Sequence, residues 1–150
     1  MKHIQRILEN CQLALRSSPV REFVMQSVED LKDIPKAIYI IQEVGGDSEK
    51  TFESFVDYKK GTYVALPAIN KPNSVLYVGS STTNLKNRIL QHLTSKNLDT
   101  YALHLSEWFQ GQVSVTIKEY DVSREVLQLL EDQLAEELQP AFGKRGTNNR

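Results

Sequence analysis

The first 34 residues carry apolar positions at helical spacing. In residues 2–16 the apolar side chains recur every three or four positions, which predicts an amphipathic helix. A second helix is predicted after Ser18, with Pro19 in its first turn and an apolar stripe that ends at Leu31. We therefore expect residues 1–34 to form a helical hairpin that packs on the rest of the chain. Binding of the first helix to a membrane or a partner is the alternative.

Three later segments are rich in β-branched residues and predict strands. They read AIYIIQEV, VLYVG and QVSVTIKEY. Between the first two lies a helical pattern over residues 49–60, with Ser48 as its cap and Gly61 at its end.

Three further helices complete the pattern. They are a helix over residues 84–93, a helix around Trp108 that ends at Gly111, and a long helix from Asp121 or Ser123 to Pro140. The order of elements predicts an α+β fold in which helices cover a small sheet, with residues 35–150 as one compact domain.

The composition is that of an ordinary globular protein, 40% hydrophobic and 25% charged. Its 150 residues suffice for one domain. The single cysteine, Cys11, excludes an intrachain disulfide and a cysteine-built zinc site, which fits a reducing compartment. No apolar run approaches the roughly 20 residues that span a bilayer, and the N-terminus lacks the apolar centre of a secretory signal. We expect a cytoplasmic protein without a membrane partner.

Basic residues are unevenly distributed in a chain whose net charge is −1. Residues 58–98 contain six lysines and arginines and no acidic residue, whereas residues 131–137 contain four acids. A local basic surface binds a polyanion even on a nearly neutral protein, so nucleic acid is a candidate partner. A run of solvated lysines is the alternative.

Arg88 and His92 are four positions apart and therefore share one face of a helix. The forked guanidinium of arginine matches two phosphate oxygens and stays charged at any useful pH. His92 has the ordinary pKa of a group that accepts or relays a proton near neutrality. By itself such a pair is more often a solvated helix face than a site.

Glu131 lies beside the apolar stripe of the last helix and offers a hard oxygen ligand for a divalent cation at a phosphate. Three other acids on that helix are rivals, and spacing alone does not separate them: Asp132, Glu136 and Glu137.

Four pieces of the chain together resemble the GIY-YIG nuclease superfamily. They are AIYII, LYVGSS, NLKNRILQH and LEDQLAEELQPAFG, which cover roughly residues 35–143. The resemblance implies a three-stranded antiparallel sheet flanked by helices, with the helix at residues 49–60 inserted between the first two strands. It also implies catalytic roles for Tyr39, Tyr77, Arg88, His92 and Glu131.

The resemblance implies metal-dependent endonuclease activity that hydrolyses phosphodiester bonds, with DNA as the expected substrate. One Mg²⁺ or Mn²⁺ ion would bind Glu131, Arg88 would bind the phosphate, and Tyr39 would position the attacking water with help from His92 or Tyr77. Contacts to neighbouring phosphates are assigned to Lys86, Lys96, Lys144 and Arg145. The alternative is a module of the same fold that binds nucleic acid or protein and has lost catalysis.

The chain departs from the family pattern at three points. Ala37 replaces the first glycine of the GIY motif, and the interval between Tyr39 and Tyr77 is longer than in many relatives. A second alignment, with Tyr63 as the first-motif tyrosine, shortens that interval, but AIYII is the better strand. The third departure is Gly143, at a position where many relatives have an asparagine. Asn148 and Asn149 are the candidates to replace that asparagine.

Overall fold

The structure is a computed structural model that describes residues 1–94 and 97–144. The α-helices of this part of the chain are Lys2–Arg16 (α1), Ser48–Lys60 (α2), Leu85–Leu93 (α3), Leu105–Trp108 (α4) and Arg124–Leu138 (α5). The strands are Arg21–Val24 (β1), Ala37–Val44 (β2), Val75–Ser81 (β3) and Gln112–Glu119 (β4), and Val28–Leu31 forms a 3₁₀ turn.

The described strands form one antiparallel sheet in the order β1-β4-β2-β3. The predicted α+β class is confirmed, and so are its three predicted strands. The sheet has a fourth strand, β1, that the sequence interpretation did not include. β2 is central and β3 is an edge strand, whose Val75 and Leu76 carbonyls accept from the N–H groups of Ala141 and Phe142.

The predicted N-terminal helical hairpin is wrong, because its second helix is replaced by β1 and the 3₁₀ turn. Phe23 pairs with Ile117 in the ladder between β1 and β4. The carboxylate of Asp30 accepts hydrogen bonds from the backbone N–H groups of Gln26 and Ser27, which turns the chain after the strand. An aromatic and β-branched segment beside a sheet edge gains ladder hydrogen bonds to that edge, and this tertiary pairing outweighs a helical period.

The helix predicted to end at Gly111 is also shorter than expected, since α4 covers only Leu105–Trp108. His104 before it has φ +48°, a left-handed conformation that prevents the helix from extending towards Tyr101. The N–H of Leu103 donates to the ring of His92, so this segment contributes to the interior below α3.

The sheet is buried on both faces. One face carries Tyr39, Ile41 and Ile117 in the larger core, and the other carries Ile38 and Ile40 in a core shared with α5. Alternate residues of a strand point to opposite faces. Elements from both faces therefore approach the edge strand β3.

The predicted first helix is confirmed as α1, which packs against α5. Cys11 and Ala14 are half-buried, whereas Ile4, Ile7 and Leu8 remain exposed. Within the described ranges, the helices are too short or too polar to cross a lipid bilayer.

Candidate active site

Four of the five predicted site residues line one cavity of about 250 Å³ beside β3. Tyr39 and Tyr77 come from β2 and β3, Arg88 comes from α3 and Glu131 from α5. His92 is fully buried and lies behind Tyr39, whose hydroxyl group it contacts. Side chains that are far apart in the sequence thus converge at the sheet edge.

Tyr39 forms part of the cavity wall because the neighbouring strand has a glycine opposite it. Tyr39 pairs with Gly79 in the ladder, and a Cβ atom at Gly79 would lie 2.5 Å from the Tyr39 hydroxyl oxygen. The Tyr39 ring stacks against Tyr77 with centroids 6.2 Å apart. Burial, reinforced by Tyr77, raises the pKa of Tyr39 well above its usual range, although Arg88 acts in the opposite direction. Tyr39 is therefore a neutral phenol at neutral pH.

The tautomer of His92 follows from its two hydrogen bonds. Its Nδ1 accepts the backbone N–H of Leu103 at 3.0 Å, so the proton of the neutral ring is on Nε2. Nε2 is 3.0 Å from the Tyr39 hydroxyl oxygen and donates to it. Burial lowers the pKa of His92 well below its usual value, and the nearby Arg88 and His104 act in the same direction. The expectation that His92 accepts or relays a proton does not fit this geometry, which makes it a neutral donor.

Arg88 is fixed by side-chain and backbone acceptors. Its Nε donates to the Tyr39 hydroxyl at 3.2 Å, and its Nη2 donates to the Tyr77 hydroxyl at 3.4 Å. Its Nη1 donates to Gln91 Oε1 at 3.0 Å and to the Tyr101 carbonyl at 2.9 Å. None of the ion pairs among the described residues involves Arg88. The positive charge is oriented by neutral groups and is available to an anion.

Glu131 is buried, with 7% of its surface exposed, and its carboxylate has two kinds of partner. The Ser80 hydroxyl donates to Oε1, and Lys144 Nζ lies 3.2 Å from Oε2. Lys144 also lies 2.6 Å from Asp132 Oδ1. Burial lowers the pKa of Lys144, but hydrogen bonds and charge from Asp132 and Glu131 outweigh this effect and raise it. Lys144 is thus a protonated counter-ion of both carboxylates.

The rival acids on α5 are distinguished by their positions. Glu136 and Glu137 are exposed, and neither they nor Asp132 line the cavity with Arg88. Glu131 alone among these four contributes to that wall.

The model of the GIY-YIG catalytic domain matches residues 59–145, which is more than half of the chain. The chain belongs to the GIY-YIG family. Comparisons with curated proteins and with solved structures found no match. This match confirms the resemblance to the GIY-YIG nucleases that the sequence motifs indicated.

The matched range of the GIY-YIG domain begins after β2, so it includes Tyr63 and leaves Tyr39 outside. The geometry separates the two candidates for the first-motif tyrosine. Tyr63 is fully exposed, whereas Tyr39 is buried and contacts both Arg88 and His92. Tyr39 is therefore the tyrosine that lies beside Tyr77 in this GIY-YIG site.

Nucleases of the GIY-YIG family generally depend on a divalent metal. No three His, Cys, Asp or Glu side chains of residues 1–94 and 97–144 cluster as a metal site. Mg²⁺ is commonly bound by one or two carboxylates, with water and substrate phosphate completing its shell. Glu131, with the Ser80 hydroxyl on its Oε1, fits that mode of binding.

Gly143 explains why an asparagine does not occupy this position. Gly143 has φ +90°, and a Cβ atom there would lie 2.8 Å from the Tyr77 ring. Any larger residue would strain the backbone and displace Tyr77. The side-chain amide of Asn70 instead donates to the carbonyls of Pro140 and Gly143, at 3.0 and 2.9 Å. Asn148 and Asn149, the other candidates for the family asparagine, lie outside the described residues.

The predicted phosphate contacts are dispersed. Lys86 forms an ion pair with Glu29 at 2.7 Å and does not line the cavity. Lys144 lies at Glu131, as described above. Lys96 and Arg145 lie outside the described residues.

Ser80 and Arg124 also line the cavity and were missed in the sequence. Arg124 follows the helix cap Ser123 and precedes Glu131 by seven positions, a spacing that puts both on one face of α5. That spacing could have assigned Arg124 to the site from the sequence alone. No sequence pattern identifies Ser80, because its contact with Glu131 depends on how α5 packs against β3.

Proposed function

We propose that this GIY-YIG protein is a divalent-metal-dependent endonuclease that hydrolyses phosphodiester bonds in DNA. One observation carries the proposal: Arg88, a cation without a carboxylate partner among the described residues, shares a cavity with the buried carboxylate of Glu131. Such a pair offers a phosphate site and a cation ligand within one cavity. The implied reaction is in-line attack of water on phosphorus, with departure of the 3′ oxygen.

Arg88 supplies charge to the phosphate. Four of its five N–H groups have acceptors among the described residues, which leaves one Nη2 hydrogen for a phosphate oxygen. Because Tyr39 and Tyr77 accept from Arg88, their own hydroxyl hydrogens are free to point into the cavity. Donors fixed before the substrate arrives stabilise the charge that develops on the phosphate without reorganising.

Tyr39 orients the attacking water. Arg88 Nε–H and His92 Nε2–H both donate to its oxygen, so the position of that oxygen is fixed on two sides. The same two donors stabilise the phenolate that would take a proton from the water, against the effect of burial. A divalent cation held by Glu131, with Ser80 beside it, would supply Lewis-acid stabilisation of the phosphate charge.

The test is cleavage of plasmid and oligonucleotide DNA with and without Mg²⁺ or Mn²⁺, beside a binding titration at two salt concentrations. Glu131→Gln removes the cation ligand but keeps its shape, so cleavage should collapse while affinity holds. Arg88→Ala should lower the rate on the order of 10²- to 10³-fold, as loss of one preorganised donor does. It should also weaken binding by about one phosphate contact, with a shallower salt dependence. The exposed Glu136→Gln on the same helix is the control.

A second candidate function has one observation in its favour. The Lys144 ammonium lies between Glu131 and Asp132, at the carboxylate that a divalent cation would need. This favours a module that binds nucleic acid without cutting it. If the wild type cuts no DNA or RNA, and its affinity is unchanged in Glu131→Gln, this account replaces the enzyme.

A further inference from the structure

A second cavity, of about 570 Å³, adjoins the candidate active site. Both cavities are lined by Tyr77 and Glu131, so neighbouring groups of one extended ligand would lie on either side of these two residues. The walls of the second cavity are largely apolar, formed by Leu66, Pro67 and other small or aliphatic side chains. Its volume lies within the range of about 300–1,000 Å³ that is usual for small-molecule sites.

Backbone hydrogen bonds preform this cavity although its floor is not a regular element. Ala65 N–H donates to the Leu98 carbonyl at 3.0 Å, and Gly143 N–H donates to the Ala68 carbonyl at 2.9 Å. The Lys59 ammonium donates to the Pro67 carbonyl at 2.7 Å. The floor is therefore bonded to three other parts of the chain, and a ligand does not have to order it.

The rim of the cavity combines an aromatic ring with positive charge. Tyr101 lines the cavity and has 70% of its surface exposed, so its ring is accessible to a ligand, and its carbonyl accepts from Arg88 Nη1 at 2.9 Å. Lys59 and Lys144 also line the cavity. Because Lys144 is paired with Glu131 and Asp132, Lys59 is the lysine of this cavity that has no carboxylate partner among the described residues. The surface thus complements a group that is flat and apolar on one side and anionic on the other.

We infer that this cavity holds an unstacked nucleotide next to the scissile phosphate, with its base against Tyr101. The substrate strand is then unpaired at the point of cleavage. The inference rests on the proposed function, since it takes Arg88 and Glu131 as the place of the phosphate. Bases in a duplex are stacked and present only their edges, whereas an unpaired base offers a face for stacking on an aromatic ring. Because every base has such a face, this contact selects for strand structure and not for sequence.

The test measures binding without cleavage. Two DNAs of the same sequence, each with one 2-aminopurine, are compared: a short single strand and a blunt duplex. The protein is titrated into each DNA in the presence of EDTA, and the affinity and the 2-aminopurine fluorescence are both measured. Tyr101→Ala keeps the carbonyl that Arg88 uses and removes the ring. It should weaken single-strand binding roughly 5- to 150-fold, the effect of one lost stacking contact, and change duplex binding by less than about twofold. The fluorescence quenching that stacking produces should also disappear.

Two further variants sharpen the result. Tyr63→Ala removes a fully exposed tyrosine that does not line the cavity, and it should change neither affinity nor fluorescence. Ala68→Leu fills part of the cavity and should weaken single-strand binding as Tyr101→Ala does.

The outcomes separate this inference from the proposed function. It is overturned if the duplex binds as tightly as the single strand, if neither binds, or if Tyr101→Ala behaves like Tyr63→Ala. Metal-dependent cleavage of paired DNA that is unaffected by Tyr101→Ala would retain the nuclease and overturn the cavity assignment. Single-strand binding that depends on Tyr101, in a protein that cuts nothing, would retain the assignment and remove the nuclease.

Discussion

Gly79→Ala tests whether the close approach of β3 to Tyr39 forms the site. An added methyl group would lie 2.5 Å from the Tyr39 hydroxyl oxygen and 2.9 Å from Tyr77 Cε1. Both contacts are too short, so the two rings have to move away from the strand. Overpacking of this kind costs about 1–3 kcal/mol. Displacing a reacting group by 1 Å lowers catalytic rates by about 10²-fold.

The assay combines thermal unfolding with single-turnover cleavage. For a domain of this size each kcal/mol shifts Tm by about 2–4 °C, so the melting temperature should fall by roughly 2–12 °C. Cleavage measured well below the melting temperature should fall on the order of 10²-fold. Gly61→Ala is the matched control, because a Cβ atom there meets nothing within 4 Å. If Gly79→Ala is as stable and as active as Gly61→Ala, the contact between Gly79 and Tyr39 does not position the tyrosine.

Three other predictions concern charge and protons. Because the folded protein depresses the pKa of His92, the free energy of unfolding should be full above about pH 6.5 and fall by up to about 1.4 kcal/mol per pH unit below it. In urea unfolding, the loss of stability between pH 7.5 and pH 5 should be smaller in His92→Gln than in the wild type, and the exposed His3→Gln is the control. If Tyr39 takes the proton, its raised pKa predicts a cleavage rate that grows about tenfold per pH unit from about 6 to 9, and an equal slope in Tyr39→Phe would contradict this role. Lys144→Met should tighten Mn²⁺ binding about tenfold in calorimetry, because a charged hydrogen bond of about 1.5 kcal/mol no longer competes for Glu131; the exposed Lys60→Met should have no effect.

The parts of the fold that local chemistry determines were predictable from the sequence. The long helix capped by Ser123 forms as expected, and so does the helix that ends at Gly61, since caps and stops act within a few residues. The cap predicted at Ser48 is wrong by one position, because the Asp47 carboxylate accepts from the N–H groups of Glu49 and Lys50. β1 was not predictable in this way, because its four residues become a strand only beside the open edge of β4. A partner nearly a hundred residues later along the chain decided its structure.

In the candidate site, too, the features set by local sequence were predictable and those set by tertiary contacts were not. Helical spacing put Arg88 and His92 on one face of α3, and the family pattern selected Glu131. The protonation of His92 was not predictable, because the Leu103 N–H that sets its tautomer lies in a segment whose pattern suggested a helix. The ion pair of Lys144 with Glu131 likewise depends on how the chain folds back after α5.

The long interval between Tyr39 and Tyr77 contains residues that line the second cavity. In a sheet where β2 and β3 are neighbours, a short connection would suffice to bring these tyrosines together. The chain instead inserts α2 and the irregular segment after it, and that insertion supplies Lys59, Leu66 and Pro67 to the second cavity. The core of the site, by contrast, is built from the two strands and from α3 and α5. Variation of the insertion would therefore change which strand structures are bound while leaving the phosphate site intact, and this is the physical reason to look for specificity there.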